Sequence, residues 1–352
     1  MRKLAGILFA SCLPLLPLHA GAQEVPRCAA GDQKLDYEGY VKIGGIEQWV
    51  TVKGERCDNP VVLFVHGGPG NPLSPYANSP YRAWEKDYTL VHWDQRGAGR
   101  TFARNPVPSD GGGAPLTIAG MAADGTELAA HLRERLKKKN VILFGSSWGS
   151  VLAVHMAKSR PDLFAAYLGT GQLVSHPEND IASYRKALAL ARAAGDAKTL
   201  AAIEPLGEPP WTNPRAPGIL RRATRVYEAK TSAQGPASWW EHAPAYATDK
   251  ARADYESGED YSWLQFVGMK GNGMLSTLDL PKLGLDFKIP VYLVQGSEDL
   301  VTVPEVAKRY FDSIAAPRKE YLLLQNTGHD PNPAMVQAQY IILTTRIAPA
   351  AR

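Results

Sequence analysis

Gly145-Ser146-Ser147-Trp148-Gly149 puts a serine at the centre of a G-x-S-x-G turn, between an apolar run at residues 141–144 and a helical stretch at residues 150–159. A strand that turns directly into a helix lifts the central hydroxyl to a sheet edge and a helix N-terminus, where a nucleophile for acyl transfer belongs. Ser147, not Ser146 or Ser150, holds that centre, and the flanking glycines keep the tight turn free of clashes. A serine hydroxyl needs a base, and the base needs a carboxylate to orient it. In strand–turn–helix sites of this kind the chain order is nucleophile, acid, histidine. Of the eight histidines, His329 follows the last apolar strand, in Asn326-Thr327-Gly328-His329-Asp330. The loop after the preceding strand, Gln295-Gly296-Ser297-Glu298-Asp299, supplies the acid, with Asp299 the first choice and Glu298 the second. Negative charge developing on an attacked carbonyl needs N–H donors. The backbone of Trp148 and that of Gly68, in the loop His66-Gly67-Gly68-Pro69-Gly70, are the expected pair.

These residues need a sheet to carry them. Residues 37–43 and 46–52 alternate around Gly44-Gly45 and read as a β-hairpin. Val61 to Val65 is apolar throughout, as in a strand covered on both faces of a parallel sheet. The same pattern recurs at residues 88–93, 141–144, 164–168, 291–294 and 321–324, with helix-like stretches such as 117–139 and 150–159 between. Strand and helix alternate, so the fold class is α/β with a largely parallel sheet. The rhythm breaks over residues 171–286, where alanine-rich helical pieces, prolines and the aromatics Trp211, Trp239, Trp240, Tyr246, Tyr255, Tyr261 and Trp263 indicate an inserted helical cap. The predicted organisation is therefore a signal segment at 1–22, core at 23–170, cap at 171–286 and core again at 287–352. Residues 105–115, rich in glycine and proline, read as a surface loop.

Over 352 residues, 45% hydrophobic and 21% charged composition is that of an ordinary globular chain, and a net charge of +4 leaves no nucleic-acid footprint. The basic run Lys137 to Lys139 reads as a solvated helix end. Arg2 and Lys3, an apolar stretch to Leu18 and the triplet Ala20-Gly21-Ala22 have the layout of a secretory signal peptide cleaved after Ala22. Its apolar run, broken by Pro14 and Pro17, is too short for a membrane span, so none is expected in the mature chain. Secretion, to a bacterial periplasm or the exterior, would leave Cys28 and Cys57 as an even pair in an oxidising compartment, and a disulfide between them is expected. There is no C-x-x-C or H-E-x-x-H, hence no metal site of those kinds.

Three motifs together, His66-Gly67-Gly68-Pro69-Gly70, Asp94-Gln95-Arg96-Gly97-Ala98-Gly99-Arg100 and Gly145-Ser146-Ser147-Trp148-Gly149-Ser150, resemble those of the proline iminopeptidase (prolyl aminopeptidase) family of α/β-hydrolase serine peptidases. The resemblance implies an eight-stranded hydrolase core, a helical cap over the site and release of an N-terminal residue, often proline, from short peptides without a metal or organic cofactor. The same triad on a small apolar acyl substrate would make an esterase or amidase, and the same fold without turnover would be a catalytically silent binding protein. The resemblance also puts Asp94 and Arg96 in a loop beside the site as a structural charge pair. It further implies cap carboxylates for the substrate's α-ammonium, with Glu178, Glu204, Asp180 and Glu241 as candidates by charge.

Overall fold

The computed structural model describes residues 24–76, 79–107 and 114–351. The expected signal segment and residues 108–113 of the glycine-rich loop lie outside them. Eight strands form one sheet: β1 (Leu35–Ile43), β2 (Ile46–Gly54), β3 (Val61–Val65), β4 (Thr89–Trp93), β5 (Val141–Ser146), β6 (Phe164–Thr170), β7 (Val291–Gly296) and β8 (Lys319–Leu324). Their spatial order is β1-β2-β4-β3-β5-β6-β7-β8. The hairpin β1–β2 and the β2–β4 pair are antiparallel, and every other neighbouring pair is parallel. Gly44 and Gly45 turn the hairpin with positive φ at both positions, joining Ile43 to its partner Ile46.

Continuous apolar runs make these strands because both faces of the sheet are covered. Successive side chains alternate between two cores. Leu63, Val65, Leu143, Tyr167 and Leu293 join one, while Val62, Phe64, Phe144, Leu168 and Val294 join the other. The helices are α1 (Gly99–Arg104), α2 (Ile118–Arg135), α3 (Trp148–Ser159), α4 (His176–Ala193), α5 (Ala197–Ile203), α6 (Ala216–Thr231), α7 (Asp249–Val267), α8 (Pro304–Ser313) and α9 (Pro333–Ile342). Apolar residues of α2, α3 and α8 close the first core, and those of α9 close the second. Helix α2 stops short of the predicted residue 139. Lys137 has φ 52°, and the N–H groups of Lys137 and Lys138 donate to the carbonyls of Glu134 and Arg133, so a left-handed cap closes the helix before the basic run.

Between β6 and β7 the chain is helical, and α4, α5 and α6 share a small core of their own that includes Tyr184, Ala187, Ala191, Ile203, Leu220 and Tyr227. Helix α7 lies directly on core loops. Ser262 Oγ donates to the carbonyl of Gly97 at 2.8 Å, and the Phe266 ring packs edge-on to Trp148 at 5.1 Å. Cys28 and Cys57 are disulfide-bonded, with Cα atoms 5.7 Å apart, tying the N-terminal segment to the end of β2. Closing a loop at a sequence separation of 29 in this way is worth about 3.6 kcal/mol against the unfolded chain. Among the described residues no helix is long and apolar enough to cross a membrane.

Candidate active site

The parallel strands deliver their loops to one edge of the sheet, beyond their C-terminal ends, where α/β proteins place ligands. Ser147 sits there between β5 and α3 with φ 53° and ψ −124°, a conformation that side chains rarely adopt and that projects Oγ out of the turn. The flanking glycines have a measurable reason. A Cβ at Gly149 would lie 1.9 Å from the carbonyl oxygen of Val65, and one at Gly145 would lie 2.7 Å from Cβ of Ala153. The elbow is therefore pressed against the end of β3 on one side and its own helix on the other.

The structure brings Ser147, His329 and Asp299 together. His329 Nε2 is 2.9 Å from Ser147 Oγ, and its Nδ1 is 3.0 Å from Asp299 Oδ2. An ionised carboxylate only accepts, so Nδ1 carries the proton and Nε2 is free to accept the serine's. Asp299 is fully buried and saturated. Oδ2 also accepts from Thr302 Oγ1 at 2.6 Å and Gln295 Nε2 at 2.8 Å, while Oδ1 accepts the N–H groups of Val301 and Thr302, each at 2.8 Å. Burial alone would raise its pKa, but the His329 charge and these hydrogen bonds outweigh it and hold the carboxyl below its usual range. For His329 burial acts downward, and the Asp299 charge and hydrogen bond overcome it, leaving the imidazole above its ordinary value. Glu298, the second choice of acid, has its carboxylate against Ser297 Oγ at 3.0 Å.

Trp148 is the first residue of α3, so its N–H has no acceptor within the helix. The loop carrying Gly68 runs alongside: a Cβ on Gly67 would lie 3.2 Å from Cβ of Ser147. Asp94 and Arg96 do lie in a neighbouring loop, but they do not pair with each other, which corrects the expected charge pair. Asp94 is buried, accepts from Ser74 Oγ at 2.6 Å and from the N–H of Arg100 at 2.9 Å, and so fixes the start of α1. Burial pushes its carboxyl up to about 7, against those hydrogen bonds. Arg96 instead forms a two-pronged pair with Asp124 of α2 at 2.9 and 3.0 Å and donates to the carbonyl of Gly44 at 2.8 Å, clamping the hairpin turn to the helix. The two side chains therefore serve different neighbours, Asp94 the start of α1 and Arg96 the hairpin turn and α2.

The family described as alpha/beta hydrolase fold matches residues 60–333, well over half of the chain. The chain belongs to that family. Among curated proteins this hydrolase is similar to "Probable aminopeptidase YbaC" of Bacillus subtilis, 26% identical over 300 residues that cover 83% of this chain and 90% of the relative. It is also similar to the proline iminopeptidase of Lacticaseibacillus rhamnosus, 26% identical over 83% of this chain and 91% of that one. Among solved structures, the proline iminopeptidase of Mycobacterium smegmatis has the same fold, with a TM-score of 0.57 at 18% identity over 88% of this chain and 98% of the other.

The cap acids chosen by charge are not at the site of this hydrolase. Glu178 is half-exposed and paired with Arg309 at 2.8 Å, and Glu204 pairs with Arg192 at 2.9 Å. Asp180 sits beside His176, and Glu241 is exposed. A different carboxylate lies against the loops that carry Asp299 and His329. Glu228 of α6 is buried; Oε1 accepts the N–H of Leu300, next to Asp299, at 2.7 Å, and its Cβ is 3.6 Å from where a Cβ on Gly328 would be, next to His329. Oε2 accepts from Arg221 Nη1 at 2.9 Å. Burial, with the Asp299 charge adding to it, raises the pKa of Glu228 despite Arg221 and His329. Leu300 also packs into the core of the helical insertion, and its carbonyl accepts Ser183 Oγ at 2.6 Å, so the Asp299 loop is anchored in the insertion.

Proposed function

We propose that this hydrolase is a secreted serine aminopeptidase that releases an N-terminal residue, proline or a small apolar one, from short peptides. Ser147 Oγ attacks the scissile carbonyl carbon as its proton passes to His329 Nε2. The N–H groups of Trp148 and Gly68 hold the oxyanion. The imidazolium, steadied by Asp299, returns the proton to the leaving amine as the C–N bond breaks, and water attacks the acyl-enzyme by the same route. Likeness over 83% of the chain to proteins named as an aminopeptidase and a proline iminopeptidase supports the peptidase reading. The observation that carries the exopeptidase part is Glu228, a buried carboxylate of the insertion lying between the two triad loops, with lone pairs left for a substrate ammonium. Secretion is supported by the charged, apolar and small-residue succession of the first 22 residues and by the Cys28–Cys57 disulfide.

Glu228→Gln keeps the shape and the Leu300 hydrogen bond but removes the charge. The expected result is a fall of about 100-fold in kcat/KM for proline β-naphthylamide, from loss of a charge-assisted contact worth about 2–3 kcal/mol, with turnover of p-nitrophenyl butyrate unchanged. Arg221, which already pairs with Glu228, favours a second reading in which that charge is spent internally and the enzyme is an esterase or amidase. Equal loss on both substrates, or none on the amide, supports it.

His329 must be neutral to accept a proton, and Asp299 holds its pKa above the ordinary 6.5. The kcat/KM profile should therefore rise with pH through a midpoint above that value. A midpoint well below it in a pH–rate profile on an ester substrate contradicts His329 as the base.

A further inference from the structure

The two expected oxyanion donors come from different parts of the chain, Gly68 after β3 and Trp148 at the start of α3, and their spacing has to be set by something that touches both segments. Gln95, from the loop after β4, is fully buried and does so. Its Nε2 donates to the carbonyl of His66 at 3.0 Å, and its Oε1 accepts the indole N–H of Trp148 at 3.1 Å. The partners fix which end of the amide is which, since an indole N–H only donates and a carbonyl only accepts. The backbone N–H of Gln95 donates to Nε2 of His66 at 3.2 Å, which leaves the imidazole proton on Nδ1, 2.9 Å from the carbonyl of Gly67. Burial pushes the pKa of His66 down to about 4, so this bridge keeps one protonation state at neutral pH.

We propose that Gln95 is a positioning residue that holds the glycine-rich loop and the N-terminus of α3 at the separation an oxyanion requires. This rests on the serine hydrolase reading above. An amide is suited to the task because its two ends are a donor and an acceptor held rigidly in one plane. A carboxylate at the same place would turn a second negative oxygen toward the His66 carbonyl, and an alkyl chain would leave two buried polar groups without partners. Transition-state stabilisation by fixed donors is steep in geometry, with a displacement of about 1 Å able to cost about 100-fold in rate. Ground-state binding, which depends on the substrate's remaining contacts, is much less sensitive.

The test compares wild type, Gln95→Leu, Gln95→Glu and Trp148→Phe on proline β-naphthylamide, with the boronic acid analogue of proline as a probe whose adduct with Ser147 fills the oxyanion position. The expected result for both Gln95 variants is a fall in kcat of about 10- to 100-fold, KM within about twofold of wild type, and an inhibition constant for the boronic acid raised in proportion to the lost rate. Trp148→Phe removes the indole N–H and shrinks a buried ring, but it keeps the Gln95–His66 hydrogen bond and should lose less. Combined with Gln95→Leu it should cost less than the product of the two losses, because both act on one hydrogen bond. Wild-type kcat and boronic acid affinity in a folded Gln95 variant, with only the melting temperature lowered, would make the residue a strut and overturn the proposal. If Gln95→Leu does not fold, unchanged kcat and boronic acid affinity in Trp148→Phe overturn it equally. A wild-type enzyme that neither turns over the substrate nor is labelled by a fluorophosphonate at Ser147 removes the hydrolase reading itself, a separate outcome visible before any variant is made.

Discussion

Ser147→Ala is expected to lower kcat by about 10,000-fold or more and to leave folding almost untouched. Among the described residues the Ser147 side chain hydrogen-bonds to His329 Nε2 alone and belongs to no core cluster, so its removal costs little stability. The strained backbone at φ 53° is imposed by the strand–turn–helix junction and is the same for alanine. No neighbouring hydroxyl can take over. Ser146 belongs to β5, and Ser150 Oγ donates to the carbonyl of Ser147 at 2.6 Å while accepting from the N–H of Leu173. Any residual rate comes from water attacking a substrate already held by the oxyanion donors. Steady-state kinetics on the alanine variant, with circular dichroism and thermal melting beside them, make the check; a variant within tenfold of wild type removes Ser147 from the mechanism.

Asp299→Asn is the other large effect, with kcat expected to fall by about 10,000-fold. Every partner of the Asp299 carboxylate is a donor: Thr302 Oγ1, Gln295 Nε2 and His329 toward Oδ2, and the N–H groups of Val301 and Thr302 toward Oδ1. Whichever way asparagine turns, its NH2 faces donors. Turned toward His329 it forces the proton from Nδ1 to Nε2, the tautomer that cannot accept from serine. Turned the other way it opposes two backbone N–H groups at a cost of about 1–3 kcal/mol in stability. The variant also removes the charge that raises the His329 pKa against burial, so the acid limb of its residual activity moves to lower pH. A pH–rate profile and a denaturant melt of one preparation test both consequences. An acid limb that stays in place contradicts the assigned coupling.

The sheet was readable because burial on both faces leaves its mark in consecutive apolar residues, as in Val61–Val65, whose five side chains are all buried. The proximity of Ser147, Asp299 and His329 was readable for a topological reason: parallel strands deliver their following loops to one edge, so chain order and loop position point to it without any side-chain coordinates. The acids of the helical insertion failed because charge carries no information about which way a helix faces. Glu178 and Glu204 lie on outward positions and meet arginines there. Phase would have served better. In α6 the buried positions include Leu220, Ala223, Thr224, Tyr227 and Glu228, spaced as one apolar stripe, and an acid falling on that stripe is the visible sign of a buried carboxylate. Gln95 lay in plain view inside Asp94-Gln95-Arg96, yet the role proposed for it depends on two long-range hydrogen bonds that no local pattern encodes. Asp94 and Arg96, adjacent in the motif and opposite in charge, point to separate partners because the loop between β4 and α1 is sharply curved, with Gly97 at φ 86° and Gly99 at φ 46°.

The function proposed for this hydrolase joins a Ser147 acyl-transfer site to a helical insertion that selects a free N-terminus. The most direct measurement is kcat/KM for proline β-naphthylamide beside its N-blocked form, with p-nitrophenyl butyrate as the ester comparison and the Ser147→Ala protein as background. Turnover of the free amine is expected to be at least 100-fold above that of the blocked amide, and all of it lost in the alanine protein. Equal turnover of free and blocked amides, or rapid ester hydrolysis with neither amide cleaved, would contradict it.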